Sequence, residues 1–188
     1  MFAASAACSL GGTLLMPESY SWTTNVISES AAQGVEGAWL ARLGFVLFGL
    51  SVLWLAGATR TRWARGTYWC HLAFGVFMVA TAAFSHRPWL PDVSYDAFED
   101  FLHSFTATVM GFAFSLALVF RLIQRSRNNE GGRARDVVAI VAAVVLPIIG
   151  GESPANAGWS QRVMFAIAYV WYAWETVSLV GSKPSSRA

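Results

Sequence analysis

A handful of ionisable side chains lie inside or against apolar sequence, and these are the ones with chemical potential. Asp100 and His103 are three residues apart in "DAFEDFLHSF", which places a carboxylate and an imidazole on one face of a helix. Arg42 and Arg162 each stand about one turn inside an apolar stretch, and His86 closes another. Glu29 belongs to the polar stretch "NVISES", with apolar sequence on both sides. Guanidinium groups hold anions through paired hydrogen bonds, and a histidine exchanges protons near neutral pH. Glu29, Arg42, Asp100, His103 and Arg162 therefore form a candidate ligand-binding set for a small polar molecule or a lipid headgroup. Glu29, Asp100 and His103 alone would suit acid–base catalysis. Asp, Glu and two His are also metal-ligand types, but HExxH and CxxC spacings are absent and no metal site is assigned. His71 lies at a different depth from His86 and His103, which argues against haem; no cofactor is assigned. For each residue the plain alternative is a helix-end group reaching the headgroups, with acids such as Asp100 favoured at a helix N-terminus.

The elements that must position these residues are membrane helices. Of the 188 residues 55% are hydrophobic and only 13% charged, about half the charge of a soluble domain. A span needs about 20 apolar residues at 1.5 Å rise each. Six segments qualify or nearly do: 1–16, 38–58, 67–84, 101–123, 136–150 and 159–181. The expectation is an all-α, six-helix transmembrane bundle forming a single domain over 1–188. Segment 1–16 lacks a basic start and is read as a retained helix rather than a signal peptide. Pro147 should bend or end the fifth helix. Cys8 and Cys70 both lie in apolar runs, so no disulfide is expected.

Charge sets the orientation. Arg60, Arg62 and Arg65, then Arg121, Arg125, Arg127, Arg133 and Arg135, then Lys183 and Arg187 give ten of the thirteen basic residues to one side of the bundle. The other side takes eight of the eleven acids, from Glu18 to Glu152. The basic side is expected to face the cytoplasm, with both termini there, in the inner (cytoplasmic) membrane. Trp22, Trp39, Trp89 and Trp159 then mark the outer boundary, and Trp63 and Trp69 the inner one. The arginine-rich loops are short and flank spans, so no nucleic-acid partner is expected. The partners are the lipid bilayer and a possible lipid ligand or membrane protein.

Glu175 and His71 share a level about 6–9 Å from the basic side. An ionised carboxylate there costs about 2.5–3.5 kcal/mol, so Glu175 is expected to be neutral, bonded to His71, or reaching back to the headgroups. Arg125 is expected to be exposed.

Three stretches carry a resemblance. They are "YSWTTNVISES" with Asn25, Ser28 and Glu29, "DFLHSFTATVMGFAFSLAL" with His103, and "GWSQRVMFAIAYVWYAWE" with Gly158, Gln161 and Arg162. In this order they resemble the bacterial and archaeal membrane family catalogued as domain of unknown function 998. The resemblance implies six helices in a membrane and implies no reaction.

Several functions remain in competition. One is an outward-opening pocket that binds a polar or headgroup ligand. Another is a membrane enzyme using Glu29, Asp100 and His103. A third is a non-catalytic subunit of a larger complex, supported by the small-residue stripe Ala3, Ala7 and Gly11. A proton-coupled transporter relaying through Glu175 and His71 is the fourth.

Overall fold

A computed structural model describes residues 1–181, so Lys183 and Arg187 lie outside the described residues. Six α-helices follow one another: α1 (Phe2–Leu14), α2 (Ala38–Thr59), α3 (Arg65–Ala83), α4 (Ala97–Arg127), α5 (Arg133–Glu152) and α6 (Ala157–Gly181). The described residues contain no strand. Helices α2 to α6 are each long and apolar enough to cross a membrane, and the chain is a multi-pass membrane protein. Helix α1, with 13 residues, extends about 20 Å and falls short of a full crossing.

Small residues set how closely the first helices approach. Ser5, Ser9 and Gly12 form the buried face of α1. A Cβ on Gly12 would lie 2.8 Å from the backbone nitrogen of Ala41, and Ser9 packs directly on Gly44. Ser5 Oγ donates to the Gly44 carbonyl at 2.7 Å. Helices α2 and α3 cross where Gly49 meets the carbonyl of Gly75. This is the small-residue packing that drives helix association in lipid. The interface thus uses Ser5, Ser9 and Gly12, while Ala3 and Ala7 of the expected stripe face outward.

An aromatic core fills the middle of the bundle. Phe48 is fully buried, stacks on Tyr169 at 4.2 Å and meets Phe74 and Tyr172 edge-on. Helix α5 contacts α4 and α6 and is the least buried of the spans. It runs through Pro147 to Glu152. Pro147 lies five residues from its C-terminal end, so the break expected there does not occur. Helix α4 is longer than the expected segment 101–123. It starts at a cap in which Asp96 Oδ1 accepts from the amides of Phe98 and Glu99, and it carries its arginines beyond the apolar stretch.

Candidate functional site

Two polar layers and one apolar cavity are the candidates. The first layer lies at the end of the bundle with the acidic loops, between the α1–α2 and α3–α4 connections. Arg162 reaches from α6 into the first connection, where Nη1 donates to the carbonyls of Trp22 and Asn25 at 2.8 and 2.7 Å. Its Nη2 donates to the Tyr20 hydroxyl at 2.6 Å. Burial pushes the Tyr20 phenol up, against the pull of that guanidinium. Asn25 Nδ2 donates to Glu29 Oε2 at 3.1 Å, and the same oxygen accepts from the Val26 amide at 2.7 Å. Arg42 donates to the carbonyls of Ala31 and Ala32, both at 2.9 Å. Gly158 allows this docking, since a Cβ there would collide with the carbonyl oxygens of Asn25 and Trp22. Gly37, with φ +78°, supplies the left-handed turn into α2.

The remaining acidic-end residues form a separate group across α3 and α4. Asp100 Oδ1 accepts from the Arg87 amide at 2.8 Å and lies 3.9 Å from His86 Nδ1. Glu99 accepts from the Ser85 amide at 2.7 Å. His103 is buried, with Nδ1 2.8 Å from the Phe84 carbonyl oxygen and 3.1 Å from that of Thr81. The five expected residues are therefore divided. Glu29 and Arg162 brace the first connection, Arg42 braces its exit, and Asp100 and His103 brace the α3 terminus. Among the described residues neither Arg42 nor Arg162 forms an ion pair with Glu29 or Asp100, contrary to the expected contact. The reason is local: the connections present unpaired backbone carbonyls and amides at this level, and the side chains satisfy them first.

The second layer, at the arginine-rich end, is the more deeply buried. Glu175 of α6 receives Arg125 of α4 on Oε1. Its Oε2 accepts from Arg121 Nε and from Trp63 Nε1, both at 3.3 Å. Arg125 Nε lies 2.8 Å from Asp136 Oδ2 of α5, an ion pair without linear hydrogen-bond geometry, and Asp136 Oδ1 accepts from Trp171 Nε1 at 2.9 Å. Arg121 also holds Glu130 at 3.0 Å. Burial pushes the Glu130 carboxyl up, but the Asn128 hydrogen bond and the Arg121 guanidinium outweigh it and hold it below the usual carboxylate range. Glu175 is thus an ion-pair partner of two arginines, not of His71, and Arg125 is 6% exposed rather than a surface charge. Trp63 is buried in this network rather than in an interfacial belt. His71 lies between the rings of Trp63 and Trp171, with Nδ1 2.9 Å from the Tyr172 hydroxyl and Nε2 unpartnered.

The apolar cavity, about 660 Å³, lies between these layers. Phe45 and Phe48 of α2, Phe74 and Met78 of α3, and Met164 and Phe165 of α6 form its inner wall. Its open side runs between Thr108, Gly111 and Phe112 of α4 and Val144, Pro147 and Ile148 of α5. Ser28 and Gln161 line it, and both belong to the acidic-end layer. Gln161 Oε1 accepts from the Ile27 amide at 2.5 Å, while its Nε2 has no partner among the described residues.

A family model described as "Protein of unknown function (DUF998)" matches residues 3–178. The chain belongs to that family. No curated protein and no solved structure matches it. In this DUF998 chain the residues that carried the resemblance have a shared structural task. Asn25, Glu29, Gly158, Gln161 and Arg162 fasten the first connection onto α6, which sets Ser28 over one end of the cavity. Among the described residues no group of three or more metal-ligating side chains converges.

Sequence reasoning missed the Arg121–Arg125–Asp136–Glu175 network of this DUF998 chain. A signal was present. Arg121 and Arg125 are four apart, on one face of a helix that is apolar up to that point. Counting them as topological charges hid that they point inward. The cavity left no sequence signal, because its lining residues read as ordinary core.

Proposed function

We propose that this membrane protein binds one amphipathic lipid from within the bilayer, with its apolar chain in the cavity between α4, α5 and α6. The observation that supports this is the cavity's composition together with its opening. At about 660 Å³ it falls within the roughly 300–1,000 Å³ of small-molecule sites. It is about four times the ~150 Å³ apolar cavity that takes up a benzene ring. Its walls are almost wholly apolar and its mouth faces lipid, so an alkyl chain gains packing contacts there without desolvating a polar group. The free Nε2 of Gln161, with Ser28 beside it, offers hydrogen bonds to an ester, hydroxyl or carboxyl at the chain's polar end.

In this reading Glu29, Arg42, Asp100, His103 and Arg162 act on the ligand by holding the connections that close the cavity's end, and Arg162 lies beside Gln161 near the headgroup. The enzyme reading has less support, because Glu29, Asp100 and His103 are engaged with backbone groups at separate places. The subunit reading keeps the outward-facing Ala3 and Ala7 of α1. We place the arginine-rich loops in the cytoplasm and the chain in the inner membrane, on the asymmetry of basic residues.

The test is lipid analysis of the full chain purified in mild detergent. Gly111→Phe fills the mouth at a position where a Cβ meets open space, so folding should survive. One lipid species enriched over the membrane's bulk composition, and lost in Gly111→Phe, is the expected result. Bound lipid that mirrors the bulk composition and is unchanged in Gly111→Phe would overturn the proposal.

A further inference from the structure

We infer a second, separate site at the arginine-rich end: a phosphate-binding depression built from Arg60, Arg65, Tyr68 and Trp69 on a floor of Trp63. It goes beyond the lipid cavity and does not rest on it. The depression has a volume of about 450 Å³ and is lined by these five residues. Both arginines are exposed, and among the described residues neither guanidinium has an ion-pair or hydrogen-bond partner. That distinguishes them from Arg121 and Arg125 at the same end, which are satisfied by Glu175, Asp136 and Glu130. The segment from residue 57 to 69 contains no Asp or Glu, so its positive field is uncompensated locally.

The site is also held rigid. Gln124 of α4 clamps the α2–α3 connection from both sides, donating to the Arg62 carbonyl at 2.6 Å and accepting from the Ala64 amide at 2.9 Å. Trp63 is buried and its indole N–H is tied to Glu175 at 3.3 Å, which fixes the floor to the buried ion network. Gly66 packs on the Phe120 ring, where a Cβ would lie 2.9 Å from the ring carbons. A fixed concave surface with two free guanidiniums and an aromatic rim suits a phosphate monoester or diester. Arginine donates to such groups in paired geometry, and the exposed Trp69 ring packs against the glycerol or the first methylenes. An anionic headgroup in the adjoining leaflet and a soluble phosphate ester present the same chemistry, and the test separates them.

The full chain in detergent is titrated with phosphatidylglycerol and with phosphatidylcholine and read by native mass spectrometry. Wild type should prefer the anionic lipid, and Arg60→Gln/Arg65→Gln should lose about 30-fold of that affinity, from roughly 1 kcal/mol per arginine. Arg127→Gln/Arg133→Gln removes the same charge from the same end away from the depression and should keep the preference. Competition with glycerol phosphate assigns the source: displacement of the lipid means that a soluble ester is accepted, and no displacement means that the headgroup is read only in the bilayer. Equal loss in both double variants, or no preference for phosphatidylglycerol in wild type, would overturn the assignment.

Discussion

Arg125→Gln removes a guanidinium that links three parts of the chain: Glu175 of α6, Asp136 of α5 and the Gly131 carbonyl, the last at 2.7 Å. Glu175 keeps Arg121 and the Trp63 indole. Asp136, which is fully buried, keeps only the Trp171 indole and loses its cation. Removing one partner of a buried pair costs about 3–5 kcal/mol, because the other charge remains buried without compensation. At about 2–4 °C per kcal/mol for a chain of this size, the apparent Tm should fall by about 6–20 °C. The assay is the fraction of monodisperse protein after heating, read by size-exclusion chromatography in detergent. Arg127→Gln, two residues on and exposed, should change stability by no more than about 0.5 kcal/mol. Adding Asp136→Asn to Arg125→Gln removes the stranded charge and should recover part of the loss. If Arg125→Gln is no worse than Arg127→Gln, Arg125 is a solvated surface charge and the buried network does not hold α5 in place.

Gly12→Leu should separate α1 from α2, since even a Cβ there meets Ala41 at 2.8 Å; a thermal scan should show a loss of at least about 1–3 kcal/mol, whereas Ala3→Leu, facing outward, should be tolerated. The Glu130 carboxyl is held below the usual range when folded, so its contribution is present above the unfolded pKa and fades as pH falls through the lowered folded value. Thermal stability should therefore drop more steeply on acidification in wild type than in Glu130→Gln, and parallel profiles would show that the Arg121 tie is irrelevant. A cysteine at position 93 should react with an impermeant thiol reagent from outside the cell and one at position 129 should not; the reverse pattern would invert the proposed orientation.

The sequence carried the helical architecture because length and apolarity suffice for spans, and helices α2, α3 and α6 start or end within a few residues of their expected bounds. Pro147 misled because a proline near a helix end removes little, and the helix runs on to Glu152. The acidic-end residues were located correctly in depth, but depth does not decide direction. Arg42 and Arg162 turn to carbonyls of the first connection rather than toward Asp100, which depends on that connection's path and not on helix periodicity. The pairing of Glu175 with Arg121 and Arg125 required α4 to run beyond its apolar stretch with both arginines on its inner face. The cavity arises because α5 alone bridges α4 and α6. Such a gap is a property of helix placement, and no lining residue announces it.

The most direct measurement of the central claim is an experimental density map of the full chain in lipid nanodiscs, inspected between α4 and α5. The account expects a continuous chain-shaped density entering beside Gly111 and Pro147, passing Phe165 and ending within hydrogen-bond distance of Gln161 Nε2. A map in which α4 and α5 close on each other, or in which the space holds no ordered chain while the surrounding side chains are well resolved, would contradict it.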